Sequence, residues 1–300
     1  MTNLVRSPND AKQPTVMKNP LDIVIKTREH DLIPFLQLQA DLARHSRLHG
    51  RIHVIVPNGE FRRFTDVVAK GNVLLTAEGV AAAAGYTAEF PDTWFTQQII
   101  KIIAANIVDH EHYLILDSNT LVNFDFGEQH FLSHGEYVYA VNEFRDVAWE
   151  LQSRNFLRLP MPGRLAGFRA ANQIFSKQNV QALINYVESL YNDNIVRTLL
   201  KYSDDLSTHF WTEFALYGSF VQGLQKPAGH RFEERHDLIH YSARRNFAHL
   251  LEDIEVQAPL MIKFNKGRSG QYDLSVDDYA RRVSQIKGAY QRRVKVRAAR

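Results

Sequence analysis

From Asp22 to Val141 the chain alternates short β-branched runs with stretches of helical periodicity, and that alternation leaves few folds open. Asp22-Ile-Val-Ile-Lys26 reads as a strand. Leu32, Phe35, Leu36, Leu42 and Leu48 then follow helical spacing, with Pro34 tolerated because it falls in the first turn. Gly50 breaks that helix, and Arg51-Ile-His-Val-Ile-Val56 is a second strand closed by Pro57-Asn-Gly59. A shorter strand is expected near Val73–Leu75. After an Ala/Gly-rich connection, Pro91-Asp-Thr93 opens a helix with Phe95, Ile99, Ile102, Ile103 and Ile107 on its apolar side. Tyr113-Leu-Ile-Leu116 is too apolar to face water on either side, and Tyr137-Val-Tyr-Ala-Val141 follows as another strand. Strands separated by helices pair in parallel and need helices on both faces. The expected class is α/β, a mostly parallel central sheet flanked by helices. In such sheets ligands bind outside the carboxyl ends of the strands.

Composition removes several alternatives. With 45% hydrophobic residues over 300 positions the chain can bury a sizeable core. It has no cysteine, hence no disulfide framework, thiolate zinc site or Cys nucleophile. No apolar run reaches the ~18 residues of a membrane span. Residues Met1 to Pro20 are polar and carry no signal-like apolar stretch, so a cytoplasmic location is expected. The net charge of +3 is uneven: residues 281–300 hold eight Lys or Arg and no acid, while the other 280 hold 28 basic and 33 acidic side chains. A nucleic-acid-binding body would carry its own basic field, and this one is slightly acidic, so no nucleic-acid partner is expected. No dinucleotide fingerprint, P-loop, nucleophile elbow or His-Glu-x-x-His pattern is present.

Chemistry is therefore sought at strand ends. Leu116-Asp-Ser-Asn-Thr-Leu121 places Asp117 at the end of a buried strand, where an unpaired charge is costly. It could hold a divalent cation through hard oxygen ligands, or cap the following turn. Thr212 can cap a helix whose core face is Phe214, Tyr217, Val221 and Leu224, which puts Glu213 in the first turn, where the helix dipole favours an acid. Gln98 and Lys101 lie three apart on one helix face. His236 and His240 are four apart and can serve either as ordinary imidazoles or, one of them, as a cation ligand.

Three segments resemble GT-A-fold nucleotide-sugar glycosyltransferases, and more closely a little-characterised bacterial group of such proteins. They are Asp22-Ile-Val-Ile-Lys-Thr-Arg-Glu-His-Asp31, the stretch from Trp94-Phe-Thr-Gln-Gln-Ile-Ile-Lys101 to Tyr113-Leu-Ile-Leu-Asp-Ser-Asn-Thr120, and Trp211-Thr-Glu-Phe-Ala-Leu-Tyr-Gly-Ser-Phe220. Together they span about residues 21–225. The resemblance implies transfer of a sugar from a nucleoside diphosphate sugar, such as a UDP-sugar, to a hydroxyl of a glycan or glycolipid acceptor in bacterial surface polysaccharide synthesis. It divides the chain into an N-terminal segment (1–20), a catalytic domain (21–275, donor half 21–145 and acceptor half 146–275) and a basic C-terminal helix (276–300). Lys26, Thr27, Arg28, Gln98, Lys101 and Asp117 would bind the donor, Asp117, Asn119 and His240 would hold Mn²⁺ or Mg²⁺, and Glu213 would be the base of an inverting enzyme. Asn119 stands where the Asp-x-Asp signature has its second acid, which weakens the case for metal. The alternative is a non-catalytic nucleotide- or glycan-binding protein on the same fold.

The tail carries its own pattern. Tyr279, Val283, Ile286, Tyr290 and Val294 form one stripe of a helix amid eight basic residues. Such a helix can lie on an anionic inner-membrane surface as a peripheral contact, or pack its stripe on the domain.

Overall fold

The computed structural model describes residues 20–87, 90–91, 94–141, 147–168, 172–203, 211–223, 230–235, 239–242, 251, 260–264 and 275–298. Strands β1 (Asp22–Lys26), β2 (Ile52–Val56), β3 (Val73–Thr76) and β4 (His112–Asp117) form a parallel sheet in the order β3-β2-β1-β4. Between them run helices α1 (Leu32–His45), α2 (Phe61–Phe64), α3 (Ala77–Ala83) and α4 (Trp94–Ile103).

Side-chain alternation explains why both faces are covered. Ile23 and Ile25 of β1, with Leu114 and Leu116 of β4, pack with Phe35, Leu38 and Leu42 of α1. Their neighbours Val24, Tyr113 and Ile115 turn to the other face, against Ile99, Ile102 and Ile103 of α4. The α1 face departs slightly from expectation: Leu36 is exposed and Leu38 is buried in its place. Ile107 lies beyond the end of α4, after a single 3₁₀ turn at Ala104–Asn106. Gly50 is required by closeness: a Cβ there would lie 2.2 Å from the backbone oxygen of Leu21.

The second half of the chain completes the structure in ways that short-range pattern did not show. After β5 (Thr120–Val122), β6 (Leu132–Ser133) and β7 (Glu136–Val141) come α5 (Ala148–Phe156) and β8 (Ile174–Ser176). It is β8, only three residues long, that joins the central sheet, antiparallel to β4. The expected strand at 137–141 forms as β7, but in a separate sheet of order β6-β7-β9 with β9 (His230–Glu234). Gln173 links the two sheets, accepting from Ala140 N and donating to Ala140 O at 3.0 and 2.9 Å.

Helices α6 (Lys177–Tyr191), α7 (Ile195–Ser203) and α8 (Glu213–Gly223) follow β8. A third sheet places β11 (Met261–Phe264) between β10 (Ile239–Ser242) and β5. The terminal helix α9 (Val276–Ala298) lays Tyr279, Val283, Ile286, Ala289 and Tyr290 against Leu121 and Ile262. Its Lys287 is ion-paired with the buried Asp41 of α1. The stripe is thus covered by the domain, and the side chain of Val294 lies outside the described residues, as does Leu224 of the expected α8 core face. Among the described residues no helix is long and apolar enough to cross a membrane.

Candidate active site at the β1–β4 switch point

Strand order reverses at β1: β2 and β3 lie to one side of it and β4 to the other. Crevices at such a reversal, outside the carboxyl ends of the strands, are where open α/β sheets bind ligands. The last residues of the two strands, Lys26 and Asp117, are register partners there.

Asp117 does not stand alone. Lys101, from the middle of α4, donates from Nζ to Asp117 Oδ1 at 2.5 Å and to Glu213 Oε1 at 2.7 Å. The lysine is 3% exposed, and its ammonium also lies 5.3 Å from the centre of the Phe214 ring. Burial alone would push the ammonium down, but the Asp117 and Glu213 carboxylates outweigh it and hold the pKa above the ordinary lysine value. Lys101 therefore stays charged throughout the physiological range.

Local structure places each member. The β4 strand delivers Asp117 to the sheet edge. Thr212 caps α8 by accepting from Ala215 N at 2.9 Å, which sets Glu213 in the first turn as expected. Every α8 residue from Glu213 to Val221 is buried, so the carboxylate enters the core rather than an open cleft. At 0% exposure the Glu213 carboxylate is covered in this arrangement. In this arrangement Glu213 serves Lys101.

The other expected residues divide. Lys26 is buried and donates to the Thr27 carbonyl at 3.0 Å. Thr27 N donates to Ile55 O, while its buried hydroxyl finds no hydrogen-bond partner among the described residues. Arg28 is half-buried, with Nε donating to His30 Nε2 at 2.8 Å. Gln98 folds back on its own helix, donating to the Trp94 carbonyl at 3.1 Å. Asn119 is buried in the turn from β4 to β5. His240 belongs to β10, paired with Ile262, which in turn faces Leu121. His236 lies outside the described residues.

Asn172 is a site residue that sequence reasoning missed. Its backbone is left-handed, with φ at 63°. Its Oδ1 accepts from Asp117 N at 3.1 Å and its Nδ2 donates to Thr120 Oγ1 at 3.1 Å. That fork holds the turn carrying Ser118 and Asn119. A single Asn between Ala170-Ala171 and Gln173-Ile174 offers no sequence signal for this.

As a divalent-cation site the donor set is poor. Asp117 and Glu213 already share an ammonium, and Asn119 brings no charge. Among the described residues no three His, Asp or Glu side chains are grouped to hold a metal ion.

These features define an α/β protein with a buried carboxylate–lysine–carboxylate centre beside the topological switch point of its central sheet. The chain belongs to DUF6492, a family of unknown function whose model matches residues 24–257. No curated protein matches it in sequence. Solved structures that it is similar to are glycosyltransferases. The galactosyltransferase LgtC, solved in complex with donor and acceptor sugar analogues, aligns at 11% identity and TM-score 0.49 over 90% of this chain and 96% of its own. Mouse xyloside xylosyltransferase 1, in its apo form, gives 10% and 0.46 over 82% and 98%. The bifunctional glycosyltransferase WbbM gives 12% and 0.47 over 93% of this chain and 52% of its own.

Proposed function

We propose that this protein is a GT-A-type glycosyltransferase, transferring a sugar from a nucleoside diphosphate sugar to a hydroxyl of a glycan or glycolipid acceptor in bacterial surface polysaccharide synthesis. The observation that carries the reading is the meeting of Lys26, Thr27 and Asp117 at the β1–β4 switch point, where the buried Thr27 hydroxyl is left for a ligand. The three sequence segments that resemble such enzymes converge on that crevice and its supporting lysine.

In this reaction the bond from the anomeric carbon to the diphosphate oxygen breaks and a bond to the acceptor oxygen forms, with the acceptor proton released. Asp117, 16% exposed at its side chain, accepts hydrogen bonds from donor hydroxyls. Lys26 and Arg28 bring positive charge to the side where the diphosphate leaves. Lys101 and Glu213 position Asp117. A cytoplasmic enzyme of this kind would meet a lipid-linked acceptor at the inner membrane through the outward basic residues of α9, Arg281 and Arg292, since the apolar stripe is already covered.

A second reading, a nucleotide- or glycan-binding protein without turnover, is favoured by Asn119 and by the ion pair that occupies Asp117. One experiment separates the two. A panel of nucleotide sugars is screened for protection against thermal unfolding and for hydrolysis. Ligand at about 100 times its Kd stabilises by ~2.7 kcal/mol, enough to read. A transferase shows protection by one donor with slow hydrolysis of that donor, and Asp117→Ala abolishes both. Protection without hydrolysis, even with acceptor extracts, favours the binding protein. No protection by any donor removes the proposal.

A further inference from the structure

We infer that Lys101 is the resident cation of this strand end, so that nucleoside diphosphate binding at the β1–β4 crevice is independent of divalent metal. The inference rests on the donor-site reading above and deepens it. Three observations carry it. The Lys101 ammonium touches Asp117 and Glu213 together, at 2.5 and 2.7 Å, so the acid expected to hold a metal already has a cation. Asn119, two residues past Asp117, is a neutral amide buried at 5% exposure. Lys101 itself is 3% exposed and its ammonium lies 5.3 Å from the centre of the Phe214 ring, so the packed core holds it in this place.

Simple electrostatics makes the two cations exclusive. A metal ligated by Asp117 Oδ1 would lie within about 4.6 Å of the ammonium, and like charges so close in a protein interior repel. Lys101 could make room only by withdrawing from Asp117, which breaks a contact made by an almost wholly buried ammonium. With Lys101 in place the two carboxylates and the ammonium carry one negative charge instead of two, and an anionic diphosphate approaches the strand end beside Lys26 without a metal to bridge it. Lys101 is thus a positioning residue acting through Asp117.

The test has two readouts on the full chain. Mn²⁺ alone is titrated and followed by its paramagnetic resonance signal. Uridine, guanosine and thymidine diphosphates are then titrated by calorimetry in EDTA and in Mn²⁺. For the wild type the Mn²⁺ signal stays that of the free ion, and the diphosphate that binds does so with a Kd unchanged to within about twofold between EDTA and Mn²⁺. The double variant Lys101→Gln with Asn119→Asp removes the ammonium and restores a second acid. It is expected to bind Mn²⁺ and to bind the diphosphate at least ~10-fold more tightly with Mn²⁺ than in EDTA. Stoichiometric Mn²⁺ binding by the wild type, or diphosphate binding that EDTA abolishes, overturns the inference while leaving the donor site standing. Binding of no diphosphate in either buffer overturns the donor-site reading itself. The wild-type arms decide the matter even where the double variant does not fold.

Discussion

A lysine almost wholly out of water has to be paired, and Lys101 is paired with two carboxylates from different parts of the chain, 16 and 112 residues away. Removing the ammonium is therefore expected to be costly for a reason unrelated to lost packing: Asp117 and Glu213 are left as two acids in a poorly solvated space. For Lys101→Met we expect a loss of ~3–5 kcal/mol, the range for breaking a buried ion pair by removing one partner. Urea unfolding should show a lower midpoint at unchanged slope. Adding Glu213→Gln should restore part of the loss, because a neutral amide tolerates burial beside Asp117, so the two substitutions will not add. A single variant as stable as the wild type would show that the three groups are not coupled. Asp117 and Glu213 are each legible in the sequence, from a strand end and a helix start. That one lysine joins them is not, since nothing local in the sequence relates position 101 to position 213.

At the scale of elements, the amino ends of the strands are tied together by one buried carboxylate. Asp22, fully buried at the start of β1, accepts from Arg51 N at 2.7 Å, Asp109 N at 2.8 Å and His110 N at 3.1 Å. His110 Nδ1 lies 2.9 Å away and His53 Nε2 3.9 Å away. One carboxylate thus fastens β1 to the start of β2 and to the loop entering β4. Burial pushes its pKa up, but the neighbouring His53 ring and hydrogen bonds from His110 and the backbone of Arg51 and His110 win, and the carboxyl is held well below the ordinary aspartate value of 3.8. The unfolded chain then binds this proton more readily than the native one, so the stabilisation is complete above about pH 4 and drains away as pH falls further. Unfolding free energy measured from about pH 5 to about pH 2 should fall more steeply in the wild type than in Asp22→Asn, by a total on the order of 2 kcal/mol. Parallel slopes would remove Asp22 from the account. The elements themselves are largely readable: β1, β2 and β4 carry the continuous apolar runs that a sheet buried on both faces demands. The three-residue strands β5 and β8 are not, because so short a segment has no period to detect.

Across the whole molecule, α9 brings the end of the chain back onto its first half. Ile286 and Ala289 are fully buried, and the stripe closes over Leu121 and Ile262 while Lys287 reaches Asp41 of α1. The helix is therefore part of the core and not an appendage. Ile286→Ala should cost ~2–5 kcal/mol, the usual range for emptying a packed aliphatic site. Ending the chain at Ser275 should lower the melting temperature further and raise binding of an apolar dye, because Leu121 and Ile262 become exposed. Unchanged melting in both forms would return α9 to the status of a tail. The sequence shows the stripe and its basic surroundings, yet a basic amphipathic helix reads alike whether its apolar side meets lipid or protein.

The features legible in residue order are those that depend on near neighbours along the chain. Side-chain alternation and helical spacing specify the parallel sheet. The sheet specifies which residues stand at carboxyl ends, and so Lys26, Thr27 and Asp117 are identifiable from residue order alone. Long-range packing alone accounts for β7 standing outside the central sheet while β8 joins it, for Asn172 holding the turn after Asp117, for α9 lying on the domain, and for Lys101 sitting between Asp117 and Glu213. The division has a physical cause. Periodicity is imposed residue by residue through backbone geometry and is written locally. The environment of a buried charge is set by segments a hundred or more residues apart that meet only when the core packs.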